Sequence, residues 1–186
     1  MSENAREAIL EAARRTARAH GYGGLNFRDI GSAVGIKAAS IYHHFPSKAD
    51  LGAAVAKRYW ENTALDLEAL SVSSGDPIKA LHAYPGLFRR SLEEDNRMCL
   101  CSFMAAEYDD LPETVKTEVQ AFADVNVAWL TRMVAAASVS ESNPETKARA
   151  IFAAVAGAQL MARSRADLSL FDALIASFRD SGLIPT

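Results

Sequence analysis

The chain has 186 residues, of which 49% are hydrophobic and 23% are charged, and its formal net charge is −3. A chain of this length can bury a substantial core, and the alanine-rich composition is typical of a folded helical protein, which excludes a disordered chain. No short apolar segment with a basic start precedes the first predicted helix, so we expect a cytoplasmic protein rather than a secreted one. The longest apolar run, residues 151–162, is shorter than the roughly 18 residues that a membrane span needs, so we expect no membrane association.

Charge is unevenly distributed, and the N-terminal part is the basic one. Residues 1–50 hold seven Lys and Arg against five Asp and Glu, a balance of +2, whereas the rest of the chain holds 13 against 18, a balance of −5. Attraction to phosphate acts only over about a Debye length, so a local excess of cations matters more than the net charge. A basic head on an acidic body is typical of a DNA-binding module joined to a domain that does not bind DNA.

Three helices are predicted before the first proline. Apolar residues spaced i, i+3, i+4 and i+7 predict an amphipathic helix over residues 4–20, which the glycines that follow it end. Asn26 can cap a short helix over residues 27–34. After a turn at Gly35, a second short helix is predicted over residues 38–45.

A long connecting helix and a helical body follow. Pro46 ends the short helix, and Ser47 with Asp50 three residues later predicts the capped start of a helix over residues 47–70. Residues 71–77 are predicted to form a linker. No segment alternates apolar and polar residues as a strand does, so the predicted fold class is all-α. The predicted body helices cover residues 77–94, 97–108, 112–137, 144–165 and 168–181.

Residues 27–45 have the pattern of a helix-turn-helix, which needs a support helix, a turn that often contains glycine and a second helix with an exposed face. The second helix, about eight residues or roughly 12 Å long, suits a major groove about 12 Å wide. We predict that its large apolar residues, Ile36, Ile41 and Phe45, pack on the support helix. The residues left to contact double-stranded DNA are Lys37, Ala38, Ala39, Ser40, Tyr42 and His43.

Residue types suggest how these contacts are shared. Lys37 and Lys48 are expected at phosphates, and the hydroxyls of Ser40 and Tyr42 can donate to phosphate oxygens. A small side chain such as that of Ala39 lets a helix approach the base edges closely, and its methyl group can touch a thymine methyl. The alternative is a helical hairpin that lies in a core and contacts no DNA.

The stretch G-Y-x-x-x-N-F-R-D-I-x-x-x-V-G-I-K-x-x-S-I-Y-H-H-F-P-S-K-x-D-L resembles the TetR family of bacterial regulators, and the resemblance covers residues 9–51. It implies that Asn26 and Arg28 approach the DNA backbone, that residues 37–40, Tyr42 and His43 face the operator and that Lys48 starts the connecting helix at a phosphate. Two positions depart from the family pattern: Ala17 replaces a larger apolar residue, and Leu25-Asn26 stands where threonine or serine is commoner. The resemblance also implies two domains, a helix-turn-helix domain over residues 1–50 and a helical effector-binding and dimerisation domain over residues 51–186.

Two helices of the body are predicted to form a homodimer interface, as the resemblance implies. Small residues on the 144–165 helix would let two backbones approach closely, and the last helix would join it. The alternative is that these faces pack inside one subunit. The predicted interface residues are Ala150, Ala153, Ala154, Gly157, Ala158, Met161, Leu168, Phe171, Leu174, Ile175 and Phe178.

Aromatic and thioether side chains in the central helices are candidates for a small-molecule site, although most such residues belong to a core. With a few polar groups they would line a cavity for an unknown apolar or electrophilic effector. The predicted lining residues are Phe88, Cys99, Phe103, Met104, Tyr108, Phe122, Asn126 and Trp129.

Cys99 and Cys101 form a candidate redox sensor, because R-M-C-L-C-S-F-M-A-A-E-Y resembles TetR members that respond to electrophiles or oxidants through cysteine. On a helix, residues two apart point roughly 200° apart, so we expect one thiol to face inward and the other a cavity or solvent. Arg97 and a nearby helix N-terminus are expected to lower the pKa of Cys99. The alternative is that both are small buried hydrophobes. Two cysteines and a distant His82 do not make a tetrahedral metal site, so no metal and no cofactor are predicted.

The competing function classes are an enzyme and a protein-interaction module without DNA binding. Glu107, Asp109 and Asp110 form an acidic cluster, but they have no catalytic partner at a mechanistic spacing, and we interpret the cluster as a solvated loop. We therefore predict a sequence-specific transcriptional regulator that is not an enzyme. The predicted mode of action is repression, with release from the operator on binding an effector.

Overall fold

In the computed structural model, which describes residues 2–137 and 143–185, every regular element is helical. The predicted all-α fold class is confirmed. Among the helices of these residues, none combines the length and the apolarity that crossing a bilayer requires. The α-helices of these residues are α1 (Ser2–His20), α2 (Phe27–Val34), α3 (Ala38–Tyr42), α4 (Lys48–Ser74), α5 (Pro77–Ala83), α6 (Pro85–Glu93), α7 (Leu100–Ala105), α8 (Glu113–Ala137), α9 (Pro144–Arg165) and α10 (Leu168–Asp180). A 3₁₀ helix, Tyr108–Asp110, lies between α7 and α8.

The helices form two compact units. Unit 1 consists of Met1–Glu61 and Cys99–Phe122, and unit 2 consists of Asn62–Met98 and Ala123–Thr186. Both α4 and α8 contribute residues to each unit. These units are defined by packing, whereas the division into residues 1–50 and 51–186 is a functional one and stays a prediction.

In unit 1, α1 packs on α2 and α2 packs on α3. Side chains at helical spacing supply this core, among them Ile9 on α1, Ile30 on α2 and Ile41 on α3, each at most 1% exposed. Ala17, which departs from the family pattern by its small size, is completely buried. The small side chain therefore lies at a position that is closely packed in this chain.

The turn between α2 and α3 is held by backbone contacts. Gly35 takes a left-handed conformation with φ 78°, and the N–H of Ile36 donates to the carbonyl oxygen of Gly31 at 2.9 Å. A Cβ atom on Gly31 would lie 2.8 Å from the carbonyl oxygen of Ile36. Only glycine at position 31 lets the two helices approach this closely without a shift of the backbone.

In unit 2, α9 packs against α10 and α6 around an aromatic core. The ring of Tyr84 stacks on that of Trp129 with centroids 5.6 Å apart, and the Tyr84 hydroxyl donates to Oδ1 of the buried Asn126 at 2.9 Å. Nε2 of the buried Gln159 donates to the carbonyl oxygen of Phe88 at 2.7 Å. Because these buried polar groups have partners, they can lie in the core without the cost of unsatisfied hydrogen bonding.

Two predicted helix ends, that of the second short helix and that of the connecting helix, are wrong. Helix α3 ends at Tyr42 rather than at residue 45, because the N–H groups of His44 and Phe45 both donate to the carbonyl oxygen of Ile41 and the chain turns. Residues 71–74, predicted as part of a linker, continue α4, and Gly75 ends that helix with φ 62°. The break between α4 and α5 therefore consists of two residues.

Two body helices are also shorter than predicted. The helix expected over residues 77–94 divides into α5 and α6, because Pro85 has no N–H to continue the hydrogen-bond ladder. The helix expected over residues 97–108 is reduced to α7, because the Cys99 backbone is not helical, with ψ 131°, and Tyr108–Asp110 forms a separate 3₁₀ helix.

Candidate nucleic-acid interface

The N-terminus of α2 is capped by Asn26, as predicted. The Asn26 backbone is extended, with φ −141° and ψ 125°, and its Oδ1 accepts from the N–H groups of Arg28 at 2.8 Å and Asp29 at 3.4 Å. An Asn at this position satisfies amides that the first helical turn leaves without a carbonyl partner. Asparagine therefore replaces the commoner threonine or serine without loss of the cap.

The outer face of α3 is exposed, and its inner face is buried. Ile41 is completely buried and Phe45 is 3% exposed, while Ile36 is half-buried. The side chains predicted to face DNA lie on the opposite side, with Lys37, Ala39, Ser40, Tyr42 and His43 exposed and Ala38 half-buried. This arrangement confirms the predicted burial pattern, while contact with DNA stays a prediction.

Tyr42 is the largest exposed side chain of α3, and it is anchored at its base. Tyr42 is 56% exposed, yet its ring meets the ring of Phe27 edge to face with centroids 4.7 Å apart. Phe27 is the first residue of α2, so the contact holds the tyrosine against the support helix. An anchored ring presents its hydroxyl with less loss of side-chain entropy than a free one.

Lys48 makes contacts that the sequence did not indicate. Its ammonium group donates to the carbonyl oxygen of Gly23 at 3.0 Å and lies 4.6 Å from the ring centroid of Tyr22. An ammonium group has three N–H donors, so this hydrogen bond leaves two for another acceptor. The lysine is positioned by the turn between α1 and α2, and its role at a phosphate stays a prediction.

A groove of about 340 Å³ runs between α2 and α3. It combines the N-terminal end of a helix, two cationic side chains and a tyrosine, and such a set is suited to an anion. The lining residues are Leu25, Asn26, Phe27, Arg28, Ala38, Tyr42 and Lys48.

Two long-range contacts of this region were missed. The carboxylate of Glu107, predicted to lie in a solvated acidic loop, accepts from the N–H groups of Tyr22 and Gly23. The guanidinium of Arg6 lies 5.2 Å from the ring centroid of Phe45. Local sequence patterns cannot pair residues so far apart in the chain, whereas the predicted local pair, Ser47 with Asp50, is present at 2.7 Å.

The predicted effector-site residues are distributed over both units. Phe88, Asn126 and Trp129 belong to unit 2, where Trp129 is 2% exposed and donates through Nε1 to the hydroxyl of Ser71. Tyr108, in unit 1, is 50% exposed and has the Lys116 ammonium over its ring. The other members, Cys99, Phe103, Met104 and Phe122, also belong to unit 1. Their role as one ligand site stays a prediction.

The prediction that the pKa of Cys99 is lowered is wrong. Cys99 and Cys101 are 2% and 1% exposed, and burial raises the pKa of both thiols, that of Cys101 well above its usual value. A hydrogen bond with Tyr59 lowers the pKa of Cys99 but does not offset its desolvation. Neither thiol faces solvent, and the helical angle expected between them does not apply, because Cys99 precedes α7.

The predicted dimer residues divide into those that are exposed or half-buried and those that are buried within the chain. On α9, Ala150, Ala153, Gly157 and Met161 are exposed and Ala154 is half-buried, whereas on α10 Leu168, Leu174 and Phe178 are half-buried. Ala158, Phe171 and Ile175 are buried within the chain itself, because α9 and α10 pack against each other, so their assignment to an interface is wrong. Leu160, which the prediction omitted, is 54% exposed beside Met161.

Comparison with known proteins relates this geometry to a family. A family model described as bacterial regulatory proteins, tetR family, matches residues 9–55. A transcriptional regulator of the TetR family from Agrobacterium tumefaciens has a solved structure that is 31% identical, with a TM-score of 0.90, over 96% of this chain and 97% of that one. The chain belongs to the TetR family. This membership among regulatory proteins confirms the prediction that the chain is not an enzyme.

Among other relatives of this TetR-family chain, one repressor matches part of the sequence, and two solved structures match nearly the whole fold. The helix-turn-helix transcriptional repressor AcnR of Corynebacterium glutamicum is 43% identical over 54 residues, which span 29% of this chain and 29% of the length of that repressor. A TetR regulator from Legionella pneumophila is 26% identical with a TM-score of 0.87, covering 94% of this chain and 95% of that one. The reduced form of NemR from Escherichia coli, 21% identical with a TM-score of 0.84 over 95% of this chain and 96% of that one, shows the fold alone.

The buried thiols generate a prediction about reactivity. At pH 8 the folded protein should react with a thiol-specific disulfide reagent at least tenfold more slowly than the urea-unfolded protein, because burial excludes the reagent and disfavours the thiolate. Release of the aryl thiolate, followed by absorbance, measures both rates, and free cysteine in the same urea corrects for the solvent. If one thiol of the folded protein reacted as fast as free cysteine, the redox-sensor hypothesis for Cys99 and Cys101 would gain support.

Proposed function

We propose that this chain is a transcriptional repressor that binds double-stranded operator DNA through α3 and the N-terminus of α2. The observation that carries the proposal is the two-sided packing of α3, with Ile41 completely buried while the residues around it are exposed. Such a helix is held against the support helix α2 by its buried side, so its exposed side can contact a partner. The similarity to AcnR, a helix-turn-helix repressor, supports the same function.

The contacts divide by chemistry into positioning and sequence-specific ones. Arg28 and Lys48 line the groove beside the capped end of α2, where the two cations and the positive end of the helix dipole together suit a phosphate. The exposed Ala39 and Ser40 lie on α3 and His43 directly follows it, so their short side chains can reach base edges in the major groove. Phosphate contacts set the affinity and its salt dependence, whereas base contacts set the preferred sequence.

The proposed DNA complex contains two copies of the chain. TetR-family regulators bind operator DNA and act as dimers. The exposed face of α9 suits a second copy, because Ala150, Ala153 and Gly157 are small and nothing lies within 4 Å of a Cβ placed on Gly157. Leu160 and Met161 add exposed apolar area to the same helix. A helix pair with small residues at its contact can pack at close range.

We further propose that a small planar apolar molecule acts as effector and releases the DNA. The support is the aromatic cluster of unit 2, in which the Tyr84 ring contacts the rings of Phe88 and Trp129 and the Tyr84 hydroxyl donates to Asn126. Binding sites for small molecules combine apolar walls with a few polar groups in this way.

The DNA-binding proposal predicts different effects for a phosphate contact and a base contact. Arg28→Ala should weaken binding to every duplex and reduce the slope of log K against log salt by about 0.9, the value of one lost phosphate contact. Ala39→Ser should change the ranking of duplexes and leave that slope unchanged. Mobility-shift titrations at several salt concentrations measure both, with Arg165→Ala, an exposed arginine of unit 2, as the control. Equal affinity and slope in Arg28→Ala and Arg165→Ala would contradict the assigned phosphate contact.

The effector proposal predicts a fluorescence response. The chain has two tryptophans, so Trp60→Phe leaves Trp129 as the only emitter. In that variant, naphthalene- and quinoline-based compounds that quench Trp129 should be the ones that lower the fraction of DNA bound. Compounds that released DNA while leaving the Trp129 emission unchanged would place the effector site elsewhere.

A further inference from the structure

The carboxylate of Glu107 is hydrogen-bonded to the turn that precedes the support helix α2. Oε2 of Glu107 accepts from the N–H of Tyr22 at 2.6 Å, and Oε1 accepts from the N–H of Gly23 at 3.0 Å. Both oxygens of one side chain therefore bind consecutive backbone amides. Hydrogen bonds to an ionised acceptor are about twice as strong as those between neutral groups.

The turn is shaped to admit this carboxylate. Gly21 has φ 70°, and a Cβ atom at that position would lie 2.2 Å from Oε2 of Glu107. A Cβ atom on Gly23 would lie 3.3 Å from Oε1. Any larger residue at position 21 would both strain the backbone and expel the carboxylate.

The same two residues hold a proposed phosphate contact on their other side. The carbonyl oxygen of Gly23 accepts from Nζ of Lys48 at 3.0 Å, and the Tyr22 ring lies 4.6 Å from that ammonium. The carbonyl oxygen of Tyr22 accepts from the N–H of Leu25 at 3.1 Å, one residue before the Asn26 cap of α2. The position of the turn therefore decides where Lys48 and the start of α2 lie.

Glu107 is itself held in place at the end of α7. Its N–H donates to the carbonyl oxygen of Met104 at 2.9 Å, and its carbonyl oxygen accepts from the N–H of Asp110 at 2.9 Å. Met104 is completely buried, so this anchor is continuous with the core of unit 1.

We propose that Glu107 is a positioning residue for operator binding, which holds the turn over residues 21–24 so that Lys48 and the N-terminus of α2 meet the DNA backbone together. This role rests on the proposed function, because it concerns how the DNA contacts are placed. The negatively charged Glu107 would then favour the binding of DNA, although DNA is itself negatively charged.

The sign of the effect separates this role from electrostatics. Removing a negative charge close to a DNA-binding surface strengthens binding when the charge acts only through the field it creates. If Glu107 positions the turn, its neutralisation weakens binding instead. Asp110 provides a matched control, because it is an exposed carboxylate three residues along the same segment.

The test compares Glu107→Gln, Glu107→Ala, Gly21→Ala and Asp110→Asn with the wild-type protein. Glutamine keeps the side-chain shape and one acceptor, so Glu107→Gln should bind DNA roughly tenfold more weakly, and Glu107→Ala and Gly21→Ala should bind more weakly still. The salt slope should fall by about 0.9 in each of these variants, because Lys48 loses its placement. Asp110→Asn should bind as tightly as the wild type or more tightly.

Amide hydrogen exchange in the absence of DNA gives a second, independent measurement. Exchange at Tyr22 and Gly23 should be slow in the wild type and in Asp110→Asn, and faster in Glu107→Gln, whose circular dichroism should remain that of the wild type. If Glu107→Ala fails to fold, Glu107→Gln decides the question.

The outcomes distinguish the two levels of the argument. If the wild type bound DNA and Glu107→Gln bound as tightly as Asp110→Asn with an unchanged salt slope, the role of Glu107 would be overturned and the proposed function would stand. If the wild type bound no DNA at any salt concentration, the proposed function would fail and the positioning role with it.

Discussion

The close approach of two backbones at Gly31 is the contact on which the presentation of α3 depends. A helix of five residues is too short to be stable in water by itself, since helix formation must first overcome a costly nucleus. Its orientation comes from the 2.9 Å hydrogen bond between Ile36 and Gly31 and from the complete burial of Ile41. Because these contacts lie on the inner side of α3, its outer side is left to meet a partner.

The start of α2 and the turn that precedes it are fixed by hydrogen bonds to backbone groups. Asn26 caps α2, an interaction that typically contributes about 1 kcal/mol, and Lys48 and Glu107 hold the turn before it from two sides. Exposed ion pairs such as that of Glu7 with Arg58 contribute less, because water screens them. The proposed DNA-binding surface is therefore placed by caps and turn contacts more than by pairing between surface charges.

The parts that could be predicted from the sequence are those with local signals. Asn26 followed by a short amphipathic segment, Gly35 at the turn and Pro46 after the second helix identify the helix-turn-helix, and Ser47 with Asp50 identifies the start of α4. The spacing of the large apolar residues Ile36, Ile41 and Phe45 also predicted which side of α3 is buried and which is exposed. These features depend on residues within a few positions of one another, so the pattern and the structure agree.

What could not be predicted depends on contacts between distant residues. The carboxylate of Glu107 meets Tyr22 across 85 positions of the chain, and nothing in the acidic stretch around it indicates that contact. The thiol of Cys99 was expected to be acidic from its neighbour Arg97, yet burial determines its pKa and acts in the opposite direction. Phe171 and Ile175 have the spacing of an interface, but the same spacing serves the packing of α10 on α9.

Selection of bound sequences from a random pool of duplexes by the purified chain tests the central claim most directly. If α3 of each copy enters the major groove across a twofold axis, the enriched sequences should form an inverted repeat, with half-site centres about 34 Å or a multiple of that distance apart. Recovery of sequences with no motif in common, at a salt concentration where duplex is retained, would contradict the claim that this face distinguishes one DNA sequence from another.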